Sequence, residues 1–289
     1  MNDRPALLIV NEQSRRASEI DPFVAALEQG GLALRREPYQ PGEALGTLIR
    51  ELQDEVGSVI LGGGDGTMNA AADALRETGL PFGILPLGTA NDLAQTLHIP
   101  LAGAEAARVI LAGNIRKLDL GAVNGKAFFN VASVGLSVAV TRQLTGVMKR
   151  RLGVLAYPLA AVAALLRTGP FRALLRADGE EITVRTMQIA VGNGRHYGGG
   201  MVIDAKAAID DGQLNVYSLE PRPGLHLLLM ARAFRAGEHD RLKGVRTLTC
   251  RSLDVTTRRP RDVSADGEIV TRTPAHFTVL PEAVQVFAP

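Results

Sequence analysis

Asp65 stands in Gly62-Gly63-Gly64-Asp65-Gly66-Thr67, a loop too small to shield a carboxylate. Its four glycines lack Cβ atoms, so the backbone can take positive φ and come close to a ligand. The apolar run 58–61 before it reads as a short buried strand, and Met68-Asn69-Ala70-Ala71-Ala72-Asp73-Ala74-Leu75 after it reads as a helix. Free N–H groups at a helix start attract anions, so the stretch has the chemistry of a phosphate cradle with a carboxylate inside it. No Walker loop occurs in the chain, and 62–67 does not match the dinucleotide Gly-x-Gly-x-x-Gly spacing. The plain alternative is a tight turn carrying a solvated aspartate.

A second strand end follows. Pro86-Leu87-Gly88-Thr89-Ala90-Asn91-Asp92-Leu93 comes after the apolar run 82–85 and opens another helix, with Asn91 or Asp92 as N-cap. Neighbouring strand ends of a parallel sheet line one crevice. Two further turns hold carboxylates. Asp210-Asp211-Gly212 suits a hard cation such as Mg²⁺, which wants oxygen ligands, and equally suits a plain hairpin. Asp266-Gly267-Glu268, read alone, is a two-residue hairpin turn followed by a solvated strand residue. His98, His196, His226, His239 and His276 form no close pair, which leaves a zinc site or a histidine-based triad without support.

The elements that must position these residues alternate in the first half. A strand over 5–10 ends at Asn11, and a helix over 15–28, a strand over 32–39 and a helix over 42–56 precede the two glycine-bearing strands. A helix over 103–112 follows, and this half ends near Gly121. Such alternation predicts an α/β fold with a doubly wound parallel sheet. Beyond Ile115 the texture changes to short strand-like runs (116–123, 126–134, 172–177, 182–191, 213–219, 247–255, 277–280, 283–287) parted by Gly, Asp-Gly and Asn-Gly turns. These predict a C-terminal β-sandwich-like domain with helical insertions over 136–168 and 223–236. The expected domains are 1–121 and 122–289.

A chain of 289 residues with 46% hydrophobic composition can fill two cores. A net charge of +2, 32 basic against 30 acidic residues, gives no global field for nucleic acid, and eight Phe, four Tyr and no Trp leave little to stack on bases. The lone Cys250 cannot form an internal disulfide, and the first apolar run is too short for a signal peptide, so a cytoplasmic location is expected. The apolar run 152–166 is shorter than the roughly 20 residues of a membrane span and is interrupted by Pro158. With Lys149, Arg150 and Arg151 before it, it reads either as a buried helix or as a face that docks on anionic headgroups.

The glycine-rich 62–67 and 86–92 motifs, the Val191–Gly200 glycine loop, Asp-Asp-Gly-Gln-Leu at 210–214 and Asp-Gly-Glu at 266–268, in that order, resemble the diacylglycerol kinase catalytic-domain family. The resemblance is in particular to the soluble bacterial lipid kinases of the YegS-like group. The resemblance runs from about Asn11 to the end and implies an NAD-kinase/diacylglycerol-kinase-like first domain. It also implies ATP and Mg²⁺ as cofactors, with Asn11, Gly62, Gly63, Gly64, Asp65, Gly66, Thr67, Asn69, Thr89, Asn91 and Asp92 on the nucleotide side. Asp65 would organise Mg²⁺ and the transferring group. Asp211, with the carbonyls of Ala208 and Gln213, would hold a structural metal, and Glu268 would be the base for a lipid hydroxyl. A lipid substrate implies peripheral contact with a membrane surface; the oligomeric state stays open, a homodimer included. Glu12 replaces the family's usual Pro, Gln95 replaces a frequent Arg, and His196 stands where an aromatic or polar residue is more usual. The rivals are a kinase of a soluble acceptor, such as NAD or a sugar phosphate, and a catalytically inactive lipid-binding protein on the same fold.

Overall fold

Burial on both faces explains why Leu7-Leu8-Ile9 and Val59-Ile60-Leu61 form strands although neither run alternates. The computed structural model describes residues 4–39, 44–143, 168–194, 208–221 and 244–289. The basic cluster 149–151, the apolar run 152–166, the second helical insertion 223–236 and His196 lie outside them. The chain divides into two units, 1–120 with 280–289, and 121–279. The last ten residues therefore belong with the first unit, whereas the change of texture in the sequence predicts 122–289 as one domain.

Unit 1 runs β1 (Ala6–Asn11), α1 (Asp21–Gln29), β2 (Leu34–Tyr39), α2 (Leu45–Leu52), β3 (Ser58–Gly63), α3 (Asp65–Thr78), β4 (Phe82–Pro86), α4 (Asp92–Thr96), α5 (Gly103–Ala112) and the start of β5 (Ile115–Val123). The helix expected over 15–28 starts later, because Pro22 in its first turn favours a beginning at Asp21 and the preceding stretch makes only a short 3₁₀ turn at Ala17–Glu19. The strand order β2-β1-β3-β4 is parallel throughout. Right-handed crossovers then put α1 on one face and α2 and α3 on the other. The packing agrees, α1 against α5 and α2 against α3. The order reverses direction between β1 and β3, which is where an open α/β sheet forms a ligand crevice outside its strand ends.

Unit 2 is a β-sandwich. It contains β6 (Lys126–Phe128), β7 (Val131–Gly135), α6 (Leu136–Gln143), β8 (Phe171–Ala177), β9 (Glu180–Thr186), β10 (Gln188–Gly192), β11 (Leu214–Leu219), β12 (Val245–Cys250), β13 (Ser252–Thr257), β14 (Asp262–Ala265), β15 (Glu268–Arg272) and the first part of β16 (Ala275–Phe287). One sheet is antiparallel β16-β13-β8-β9, and the other is six-stranded, β12-β11-β10-β7-β14-β15. Alternate residues such as Ala132, Val134, Ile189, Val191, Val255 and Phe277 fill the core between them. Two expected long strands are each two strands in different sheets. The chain leaves β9 for β10 at Met187, and leaves β12 for β13 at Arg251, whose N–H is taken by the Asp178 carboxylate at 3.1 Å. The expected strand 126–134 is likewise broken, at Phe129 and Asn130.

Candidate functional site

Three strand ends of unit 1 converge through their loops. Asn11 closes β1, and its side-chain amide donates to Thr67 Oγ1 on the first turn of α3 at 3.1 Å. The Leu87 N–H, just past β4, donates to the carbonyl of Gly63 at the end of β3, 2.9 Å. Leu93, in the first turn of α4, donates its N–H to Asp65 Oδ1 at 3.1 Å. Asp65 is the first residue of α3, so its carboxylate sits at the positive end of that helix.

The glycines here are required by close approach. A Cβ on Gly88 would lie 2.4 Å from the Gly64 Cα and 2.7 Å from Asn91 Oδ1, so the two loops touch backbone to backbone. Asn91 clasps the second loop: Gly88 N–H donates to Asn91 Oδ1 at 2.9 Å and Asn91 Nδ2 donates to the Gly88 carbonyl at 3.1 Å. Its φ of 52° is left-handed, a conformation asparagine adopts more readily than most residues. By contrast a Cβ on Gly66 would meet nothing within 4 Å, which leaves room beside the start of α3.

Asn69 is 1% exposed and its Oδ1 has no hydrogen-bond partner among the described residues, although a buried amide oxygen ordinarily finds one. Asp92 is 4% exposed, whereas Thr89 is exposed. Gln95 folds back onto the Ala90 carbonyl at 2.6 Å, and Glu12 is exposed beside Asn11. Gly62, Gly63, Gly64, Asp65, Gly66, Thr67, Asn69, Asn11, Asn91 and Asp92 thus share one end of the unit 1 sheet.

Asp211 and Glu268 belong to unit 2. The Asp211 carboxylate accepts the N–H groups of Ala208 (3.1 Å) and Gln213 (3.0 Å), one on each oxygen, and so caps its own turn. Each oxygen retains a lone pair. Among the described residues no group of three His, Cys, Asp or Glu converges on a metal position. Glu268 opens β15 and is exposed, as is its neighbour Ile269. Asp266 before it takes φ 44° and Gly267 φ 88°, the left-handed pair of a type I′ hairpin. Its carboxylate accepts three successive N–H groups, from Phe129 (2.8 Å), Asn130 (3.1 Å) and Val131 (2.9 Å).

Gly88 and Asp266 are the residues whose roles sequence reasoning missed. Asp-Gly signals the turn, yet nothing local signals partners at 129–131, and the neighbour of Gly88 is likewise remote in sequence. Nothing local in the sequence marks buried Asp119; one of its oxygens accepts the Glu282 N–H at 2.8 Å, tying the returning chain to β5. Cys250 is no nucleophile, because burial first and the charge of Asp178 second push its thiol up to about 12.

A parallel α/β unit with two glycine loops at its strand ends, followed by a β-sandwich, is the architecture of a diacylglycerol-kinase-type enzyme. Residues 5–123 match the diacylglycerol kinase catalytic domain, and residues 130–288 match the YegS C-terminal NAD kinase beta sandwich-like domain. A probable lipid kinase YegS-like from Pseudomonas aeruginosa is 33% identical over 296 residues, covering 100% of this chain and 96% of the relative. Another from Klebsiella pneumoniae is 30% identical, covering 100% and 98%. The crystal structure of a diacylglycerol kinase from Bacillus anthracis superposes with a TM-score of 0.83 at 23% identity, covering 100% of this chain and 98% of that one, which shows the shared fold. The chain belongs to the YegS-like family of kinases.

Proposed function

We propose that the protein transfers the γ-phosphoryl group of ATP to a hydroxyl of diacylglycerol or a related lipid. The observation that carries this reading is the Asp65 loop, where a carboxylate at a helix start is steered by Leu93 N–H within two loops packed glycine on glycine. When bound, ATP supplies the phosphoryl group and Mg²⁺ neutralises the charge that develops. The open space beside Gly66 and the N–H groups at the start of α3 suit anionic oxygens. The Asn69 Oδ1, buried without a partner among the described residues, suits a donor from the ligand. Asn11 and Thr67 brace the loop, Asn91 fixes the second one, and Thr89 and Asp92 would line the nucleotide side.

Asp65, one of whose oxygens is held by the Leu93 N–H, would help hold Mg²⁺, a hard ion that takes oxygen ligands and would offset charge on the transferring group. Glu268, exposed at the tip of a hairpin anchored by Asp266, would accept the proton of the lipid hydroxyl, and exposed Ile269 beside it offers apolar surface to the acceptor. Asp211 would hold a stabilising cation on its remaining lone pairs, aided by the carbonyls of Ala208 and Gln213. An Mg²⁺-dependent thermal midpoint that is the same in Asp211→Ala as in the parent would remove that site.

The test is incubation with labelled ATP, Mg²⁺ and a panel of lipids in mixed micelles, beside NAD and sugar phosphates. Label in a lipid product is expected. Label only in a soluble acceptor, or vesicle binding without any transfer, would overturn the reading in favour of one of its two rivals.

A further inference from the structure

Arg261 holds an unusual position in unit 2. Its guanidinium carbon lies 4.0 Å from the centroid of the Phe171 ring, and Phe171 belongs to the sandwich core. Its backbone is clamped from both sides by Thr273, the Arg261 N–H donating to Thr273 Oγ1 at 2.9 Å and the Thr273 N–H to the Arg261 carbonyl at 2.8 Å. Among the described residues no carboxylate lies within ion-pair distance of this guanidinium. Burial lowers the pKa of Arg261, with no acidic neighbour opposing the shift.

Several arginines elsewhere in the fold are compensated, and Arg185, unpaired among the described residues, is exposed where Arg261 is not. Arg272 pairs with Asp262 at 2.9 Å, and Arg16, Arg35, Arg36, Arg50 and Arg176 pair with glutamates. A half-buried cation without a partner is costly unless something supplies the negative charge. Among the described residues Arg261 also borders open space. It lines a cavity of about 420 Å³ with Arg272, Asp262, Val138, Pro170 and Pro260. Gly135 lines the same cavity at φ 109°, and a Cβ there would lie 3.0 Å from the Phe171 ring and 2.3 Å from the Met187 carbonyl, so the backbone is pressed close where the ring sits. Two arginines against one aspartate leave the described lining with net positive charge. Stacking on Phe171 occupies the guanidinium face and leaves its in-plane N–H fork for an oxyanion.

We infer that this cavity binds a phosphate-type anion, with Arg261 as principal ligand, Arg272 at the rim, and the apolar side chains of Val138, Pro170 and Pro260 against the group that carries it. The phosphate could be that of an anionic lipid headgroup or of a soluble phosphate ester; the chemistry recognised is the same. The site is built from unit 2 residues alone and does not rest on phosphoryl transfer.

The full chain is titrated calorimetrically with glycerol 3-phosphate, and separately floated with phosphatidylcholine vesicles containing or lacking phosphatidylglycerol. Arg261→Gln is compared with Arg185→Gln, an exposed arginine elsewhere in unit 2. Loss of charge-assisted bonds predicts about tenfold weaker binding in Arg261→Gln alone. Saturable glycerol phosphate binding with that pattern supports a soluble ester as ligand. Vesicle binding that requires phosphatidylglycerol, with the same pattern and no response to glycerol phosphate, supports a headgroup. No binding in either arm, or equal loss in both variants, overturns the site. If Arg261→Gln loses its cooperative thermal transition, Arg272→Gln takes its place, and unaltered binding by that variant counts against the inference.

Discussion

Asp65 and Gly88 make opposite demands on substitution. Asp65→Asn keeps shape and removes charge, so transfer should fall by roughly 10²-fold or more while the thermal midpoint stays near the parent's, as expected for a group that stabilises developing charge. Turnover close to the parent's would reduce Asp65 to a turn residue that caps Leu93. Gly88→Ala adds one methyl group 2.4 Å from the Gly64 Cα, which is backbone and cannot rotate away. It should cost about 1–3 kcal/mol of stability and lower affinity for a fluorescent ATP analogue, since the two loops must part. Gly66→Ala is the control, because its methyl meets nothing within 4 Å among the described residues beyond its own helix backbone and chain neighbours. A normal midpoint with weakened nucleotide binding in Gly66→Ala would show that ligand, not protein, fills that space.

Three hairpins of unit 2 share one device. Asn124, Asp178 and Asp266 each take a left-handed φ before a glycine, and each uses its side chain to hold backbone of a neighbouring segment: Asn124 on His276, Asp178 on Arg251 and Ser252, Asp266 on Phe129 to Val131. The turn and the anchor are thus one residue. Asp266→Asn tolerates the same φ but loses charge and exchanges one acceptor oxygen for a donor, so unfolding should cost about 2 kcal/mol less. If the anchor also positions Glu268, turnover of Asp266→Asn at saturating ATP should fall further than its midpoint shift explains. Full turnover at a temperature where the variant remains folded would confine Asp266 to stability.

Over the whole chain, the C-terminus completes the first unit. Val284, Val286 and Ala288 are buried, Val286 pairs in parallel with Phe82, and the Ala288 N–H donates to the Asn114 carbonyl at 3.1 Å. Removing 281–289 should strip amide-exchange protection from β4 and β5 before it affects β10 and β11; equal protection in the truncated chain would show that unit 1 closes without its last strand. The sequence by itself determined the βα alternation, the glycine loops with Asp65, the second loop with Asn91, and the turns of the sandwich, because these are signals of period, propensity and left-handed φ that act within a few residues. Only the tertiary structure decided that β16 returns to unit 1, that strands change sheets at Met187 and Arg251, that Gly64 meets Gly88, and that Asp266 grips 129–131. Those depend on which remote backbones come into register, and a carboxylate or a glycine carries no local mark of the partner it will meet.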